Sequence, residues 1–121
     1  MAKTRPILLV EDDSDTREAL EAILSAEGYE IITASNGVEA IQKAMASERP
    51  CVIVLDDRMP LMSGQEFLAN REKHPKLAGI PVVFISGDLD TIEHMARHAT
   101  VTFRKPFAIA SFLESIREHC A

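Results

Sequence analysis

The chain has 121 residues, of which 46% are hydrophobic and 26% charged, a balance and a length typical of one soluble globular domain. Its 13 Lys and Arg residues against 19 Asp and Glu residues give a net charge of −6, which argues against direct binding to nucleic acid or to an anionic membrane. No apolar run approaches the roughly 20 residues of a membrane span, and the first residues lead into a strand rather than a signal peptide. Residues 1–121 are therefore expected to form one domain, without a separate output domain.

Five short apolar runs predict five strands, at Ile7–Val10, Tyr29–Thr33, Cys51–Leu55, Pro81–Ser86 and Val101–Phe103. Three of these runs are apolar without alternation, which is typical of parallel strands buried on both faces. Helical patterns separate the strands. This alternation predicts an α/β fold, with a doubly wound five-stranded parallel sheet and helices on both of its faces.

Apolar stripes and capping signals mark the intervening helices. The first helix has an apolar stripe of Ala19, Leu20, Ile23 and Leu24 and ends before Gly28, and capping boxes of Asn36 with Glu39 and of Ser63 with Glu66 begin the second and third. The fourth helix is predicted over residues 90–97. The fifth has Pro106 in its first turn and an apolar stripe of Ile109, Phe112, Leu113 and Ile116.

The two cysteines, Cys51 and Cys120, form no C-x-x-C motif and are too few for a disulfide framework. Cys51 begins a buried strand and is expected to be an inert thiol. A reducing, cytoplasmic setting is the simplest interpretation.

Polar residues follow four of the predicted strands, at the sheet edge where ligands of open parallel sheets bind. They are Glu11–Asp13 after the first strand, Asp56 and Asp57 after the third, Ser86 at the end of the fourth, and Lys105 after the fifth. Crowded carboxylates repel one another unless a cation joins them, and oxygen ligands suit Mg²⁺. Asp13 is expected to be a helix N-cap and Asp57 an exposed neighbour rather than a ligand.

This set of groups suits phosphoryl transfer to a carboxylate. Mg²⁺ would neutralise the incoming phosphoryl group, Lys105 would contact one of its oxygens, and Ser86 would donate a hydrogen bond to another. An Asp at the centre of the site would be the nucleophile and would form an aspartyl phosphate.

Four segments together resemble the receiver domains of two-component response regulators, and the resemblance spans the whole chain. They are Val10-Glu11-Asp12-Asp13, Leu55-Asp56-Asp57-Arg58-Met59-Pro60 followed by Gly64, Ser86-Gly87, and Lys105-Pro106-Phe107. The resemblance implies a flavodoxin-like sheet with strand order 2-1-3-4-5, the order known for the chemotaxis regulator of this family.

The resemblance also implies the role of each site residue. Asp56 would be the phosphoacceptor, and Ser86 and Lys105 would assist it. Glu11, Asp12 and the backbone carbonyl of Arg58 would complete a Mg²⁺ site with Asp56. The Lys105–Pro106 bond is expected to be cis, as in the family.

One position departs from the family pattern, because Thr102 stands where receivers usually carry the Tyr or Phe that switches rotamer on phosphorylation. Phe103, one residue later, is expected to point to the opposite face of the sheet and into the core. Ser86 and the segment 87–97 would then carry most of the signal, with the fourth helix, fifth strand and fifth helix forming the partner surface. Arg58 and Asp88 are expected to flank the mouth of the site and to set the phosphoryl lifetime.

The preferred function is therefore a signalling switch, not an enzyme, that accepts a phosphoryl group from a histidine kinase or phosphotransfer protein in the cytoplasm. A haloacid-dehalogenase-like phosphatase is an alternative, but it needs Asp-x-Asp, and Arg58 stands at the second Asp. A flavodoxin-like carrier is another alternative, although Glu11–Asp13 would repel a phosphate.

Overall fold

The computed structural model of the protein describes residues 5–56 and 62–120, in which five strands alternate with five helices. In chain order they are β1 (Ile7–Val10), α1 (Ser14–Ala26), β2 (Ile31–Ala34), α2 (Gly37–Met45), β3 (Val52–Asp56), α3 (Gly64–Arg71), β4 (Val82–Ser86), α4 (Leu89–Met95), β5 (Val101–Arg104) and α5 (Ile109–His119). All strand pairs are parallel, in the order β2-β1-β3-β4-β5. The predicted sheet is confirmed. Within the described ranges, no helix has both the length and the apolar character that crossing a bilayer requires.

Two hydrophobic cores lie on opposite faces of the sheet, because successive side chains of a strand point to opposite sides. Helices α2, α3 and α4 cover the first core, and α1 and α5 cover the second. The first core includes Leu8, Val10, Ile53, Leu55, Val82 and Phe84, and the second includes Ile7, Leu9, Val52, Val54, Val83 and Ile85. The continuously apolar strand sequences are thus explained by burial on both faces.

Helix starts follow the predicted capping signals closely. The Asp13 side chain caps α1 by accepting a hydrogen bond from the Thr16 backbone N–H, as expected of an N-cap. Ser63 and Glu66 form a complete capping box at α3. The box predicted at α2 is only half formed, because the Glu39 carboxylate accepts from the Ser35 N–H instead of returning to the N-cap residue.

Three predicted boundaries are wrong by a few residues. Strand β2 begins at Ile31, since Tyr29 packs in the second core before the strand starts. Helix α4 covers Leu89–Met95 rather than residues 90–97. Pro106 is not in the first turn of α5, because the N-cap of that helix is Ala108; the Lys105–Pro106 bond is cis, as the family resemblance implied.

The structure joins the two cysteines, contrary to the expectation of an inert Cys51 thiol. Cys51 and Cys120 form a disulfide with their Cα atoms 5.4 Å apart, across 69 residues of sequence. The pairing follows from helical periodicity: Phe112, Ile116 and Cys120 recur every four residues and all pack in the second core. That stripe brings the end of α5 under the amino end of β3, where Cys51 lies.

Candidate phosphoryl-transfer site

The carboxyl ends of four strands bring the predicted site residues to one edge of the sheet. Glu11 directly follows β1, Asp56 is the last residue of β3, Ser86 is the last residue of β4, and Lys105 directly follows β5. Asp56 is the register partner of Ile85 on β4, and the preceding residue, Leu55, is the register partner of Val10 on β1. The position of Asp56 depends on the ladder hydrogen bonds of the sheet rather than on a loop.

Lys105 contacts two buried carboxylates at this edge. Its Nζ lies 3.1 Å from Asp56 Oδ1 and donates a hydrogen bond to it, and it lies 3.8 Å from Glu11 Oε1. Asp56 is only 5% exposed and Glu11 only 3%, whereas the Lys105 side chain is 37% exposed. The ammonium thus reaches from solvent to carboxylates that have lost most of their hydration, where its charge compensates part of theirs.

Three carboxylates crowd together around this contact. Oxygen atoms of Glu11, Asp12 and Asp56 all lie within 4.8 Å of one another. Burial raises the pKa of Glu11 to about 8, the negative charge of Asp56 adds to the rise, and Lys105 opposes it. Full ionisation of the set would therefore place more negative charge here than Lys105 balances. Carboxylate oxygens in this arrangement fit a hard divalent cation such as Mg²⁺.

Ser86 is fully buried and is held by the start of the next loop. Its Oγ accepts a hydrogen bond from the Asp88 backbone N–H at 3.0 Å, and its carbonyl accepts one from the Lys105 N–H at 2.8 Å. The Asp88 carboxylate in turn accepts a 2.6 Å hydrogen bond from the Thr91 hydroxyl at the start of α4. A movement of the Ser86 hydroxyl would therefore change the contacts that place the first turn of α4.

A cleft of about 620 Å³ opens above the carboxylates. It is lined by Glu11, Asp12, Asp13, Thr16, Asp56, Gly87, Asp88 and Lys105. A Cβ atom added at Gly87 would meet no atom within 4 Å, so the β4–α4 side of the cleft has open space. The cleft is large enough to admit a small anionic group to Asp56.

Sequence reasoning missed Thr16 and Arg17 of α1. Thr16 lines the cleft, and Arg17 Nη1 donates a 2.8 Å hydrogen bond to the carbonyl of Glu11. The available signal was their place in the first turn of the helix that follows the acidic segment, where side chains lie over the preceding loop. Asp57 and Arg58, including the predicted carbonyl ligand of Arg58, lie outside the described residues.

Thr102 and Phe103 on β5 point to opposite faces of the sheet. Phe103 packs with the second core as expected, with ring centroids 5.4 Å from Phe107 and 5.9 Å from Phe112. Thr102 is the register partner of Phe84, a residue of the first core, so the two residues of this strand point to opposite sides of the sheet.

Residues 7–117 match the model of the response regulator receiver domain, and the chain belongs to that family. It is 29% identical over 114 residues to the sporulation initiation phosphotransferase F of Bacillus subtilis, covering 93% of this chain and 91% of that protein. Its structure resembles that of the chemotaxis response regulator CheY4 of Vibrio cholerae, with a TM-score of 0.83, 27% identity, and 95% and 98% of the two chains covered.

Some curated relatives are much longer than this chain. It is 34% identical over 104 residues to the transcriptional regulatory protein CpxR homolog of Haemophilus influenzae, covering 84% of this chain and only 44% of that regulator. Sequence, fold and family agree that the protein is a receiver domain of a two-component system.

Proposed function

We propose that this receiver takes a phosphoryl group onto Asp56 from a phosphohistidine of a histidine kinase or phosphotransfer protein. The observation that carries the proposal is the 3.1 Å contact between Lys105 Nζ and Asp56 Oδ1 at the bottom of an open cleft, beside the carboxylates of Glu11 and Asp12. A buried carboxylate that is compensated by a cation and faces a cleft is suited to act as a nucleophile.

In the proposed step, an oxygen of Asp56 forms a bond to phosphorus while the phosphorus–nitrogen bond of the donor histidine breaks. The histidine nitrogen keeps the electron pair of that bond and takes up a proton. Lys105 shifts its hydrogen bond to an oxygen of the transferred group, and the Ser86 hydroxyl donates to another. The chain is a stoichiometric acceptor in this step rather than an enzyme acting on a separate substrate.

The carboxylates of Glu11, Asp12 and Asp56 are the residues that would hold Mg²⁺, together with the backbone carbonyl of Arg58. When bound, Mg²⁺ would supply positive charge that offsets the repulsion between these carboxylates and an approaching phosphoryl group. Arg17 supports this set by fixing the carbonyl of Glu11, and so limits the freedom of the acidic segment.

Phosphorylation would be reported through α4, β5 and α5 to a protein partner. The support is the hydrogen-bond path from Ser86 through Asp88 to Thr91, which leads from the site to the first turn of α4.

We place this function in the cytoplasm. The net charge of −6 makes direct contact with nucleic acid or anionic lipid unfavourable, so the partner is a protein.

Phosphorylation by a small-molecule donor tests the proposal. The protein is incubated with acetyl phosphate and Mg²⁺, and intact mass is followed with time. We expect one phosphoryl adduct on the wild type, no adduct with EDTA, and no adduct on Asp56→Asn. Asp90→Asn is the matched control, because it removes an exposed carboxylate of α4 and should leave phosphoryl uptake unchanged. Uptake by Asp56→Asn at the wild-type rate would contradict the assignment.

A further inference from the structure

The disulfide lies at the end of the sheet away from the proposed phosphorylation site. Cys51 precedes β3 at its amino end, whereas Asp56 ends the same strand five residues later, roughly 16 Å away in an extended strand. Cys120 is the C-cap of α5, and its N–H donates to the carbonyl of Ile116. The bond therefore ties the end of an outer helix to the central strand of the sheet.

The same site also accommodates two reduced thiols. Both cysteines are buried within the second core, at 4% and 5% exposure, and a free cysteine packs well as a small apolar side chain. Cys51 Sγ lies 3.5 Å from the carbonyl oxygen of Pro6, which can accept a hydrogen bond from a thiol. Phe112 and Ile116 pack α5 in the second core through contacts of their own side chains, in addition to the disulfide.

We propose that Cys51 and Cys120 form a reversible redox couple that controls how firmly the end of α5 is held. A disulfide in a cytoplasmic protein is typically transient or redox-sensing rather than permanent. In the oxidised form, α5 is clamped to β3 at its last turn. In the reduced form, that turn is held by packing and by its hydrogen bonds alone, and helix ends held in this way fray.

A low-molecular-weight disulfide such as oxidised glutathione is the proposed oxidant. Cys120 reacts first, because it lies at a helix end that opens locally. Its thiolate attacks one sulfur of the oxidant, forms a mixed disulfide and releases one glutathione thiolate. The Cys51 thiolate then attacks the Cys120 sulfur and releases the second. The two protein thiols lose two electrons and two protons, and the oxidant becomes two thiols.

The consequence for signalling and the cytoplasmic setting rest on the function proposed above, whereas the contact between the two cysteines does not. Helix α5 is part of the proposed partner surface, so oxidation would change the mobility of that surface. Since the disulfide and the carboxylates lie at opposite ends of β3, oxidation should leave phosphoryl uptake by Asp56 unaltered.

Redox titration of the purified chain tests the couple. The reduced protein is equilibrated in buffers that differ in their ratio of reduced to oxidised glutathione. Each sample is then quenched with acid, alkylated and analysed by intact-mass spectrometry. We expect the number of alkyl groups per chain to fall from two to none as the buffer becomes more oxidising. The fraction of reduced chains should depend on the square of the reduced glutathione concentration divided by the oxidised glutathione concentration. Hydrogen exchange then compares the two forms, and the amides of residues 116–120 should exchange at least tenfold faster after reduction. Cys51→Ser and Cys120→Ser cannot form the internal disulfide, and in reducing buffer their exchange at residues 116–120 should match that of the reduced wild type.

Three results would overturn this inference. They are the absence of an oxidised form at every ratio, disulfide-linked dimers in place of the internal bond, and equal exchange at residues 116–120 in both forms. Acetyl phosphate labelling in each redox state distinguishes this failure from that of the proposed function, since it measures Asp56 alone. Reduced wild-type protein carries no substitution, so the comparison holds even where a serine variant folds poorly.

Discussion

Thr102 and Phe84 are register partners on adjacent strands, and both point to the face of the sheet covered by α2, α3 and α4. Ser86 lies two residues after Phe84 on the same strand, and so it shares that face. The residue at the switch position therefore faces the same side as the serine that would move on phosphorylation. Its side chain is small and β-branched, with few rotamers between which to switch.

Because of this arrangement, we predict that signal transmission depends on the segment 87–97 rather than on an aromatic swing. Binding of beryllofluoride, a phosphoryl mimic, should produce large backbone chemical-shift changes across residues 87–97. Changes at Phe103 should be small, because its ring packs against the rings of Phe107 and Phe112, which also contact each other. Large shifts at Phe103 with a silent 87–97 segment would refute this prediction. Asp56→Asn supplies the unliganded control.

Mg²⁺ should stabilise the folded protein, because a cation relieves the repulsion among Glu11, Asp12 and Asp56. At a free concentration ten times its dissociation constant, the free energy of unfolding should rise by about 1.4 kcal/mol. Urea melts with Mg²⁺ and with EDTA measure the difference. Asp12→Asn should lose most of the gain, while Asp90→Asn keeps it. If Mg²⁺ raised the free energy of unfolding equally in both variants, Asp12 would not be a ligand and the cation would bind at another site.

The phosphoryl lifetime should shorten when Asp88 or Arg58 is replaced by Ala. Asp88 lines the cleft, and a side chain there restricts the approach of water to the phosphoryl group. An exposed charge pair contributes under about 1 kcal/mol, so phosphate loss should accelerate by no more than about fivefold. Thr91→Val is the control, because it removes the hydroxyl bound to Asp88 but keeps the carboxylate. Unchanged decay in both alanine variants would leave the pair without a role.

Glu39 should contribute stability that is lost in acid. The Ser35 backbone N–H donates to its carboxylate at 2.6 Å and lowers the pKa of Glu39 below its ordinary 4.5. The unfolded chain then binds more protons than the folded protein in this range, so stability falls as the pH falls through the lowered pKa. Glu39→Gln should be less stable at pH 7 by under about 1 kcal/mol, since the group is partly screened by solvent. The difference in free energy of unfolding between the wild type and Glu39→Gln should become smaller below pH 4.5 in melts followed by circular dichroism. A difference that does not change with pH would contradict this explanation.

Gly37→Ala should destabilise the fold, by about 1–3 kcal/mol. An added Cβ at Gly37 would lie 2.7 Å from Met62 Sδ and 3.0 Å from the Met62 Cβ and Cγ, too close for an ordinary contact. Gly87→Ala is the matched control, because its Cβ would meet nothing within 4 Å and the stability should be unchanged. In a double-mutant cycle, Met62→Ala removes Sδ and Cγ and should relieve part of the cost at Gly37, and strict additivity would show that the clash is not the cause.

The sheet and most of the site were predictable from local patterns. Parallel strands buried on both faces leave a continuous apolar signature, and polar residues that end such strands must meet at one edge, as Glu11, Asp56 and Lys105 do. The opposite orientation of Phe103 also followed from strand periodicity alone. These features depend on neighbours in sequence, which a single chain reveals.

The disulfide could not be predicted because it depends on residues far apart in sequence. Cys51 and Cys120 meet across 69 residues because the α5 stripe is extended by one further turn. Local propensity does not contain such information. Two other missed features are local: Arg17 binds the carbonyl of Glu11, six residues before it, and α5 begins at Ile109 although Pro106 carries a first-turn signal.

The central place of β3 limits how this chain can change over evolution. A single-residue insertion between Val52 and Asp56 would turn the side chains that follow it to the opposite core and displace the Asp56 carboxylate from Lys105, because side-chain direction alternates along a strand. Insertions between α2 and β3, at the largely exposed residues 46–48, would leave every strand register intact. Length variation among descendants of this sequence should therefore accumulate at that connection, with β3 constant in length.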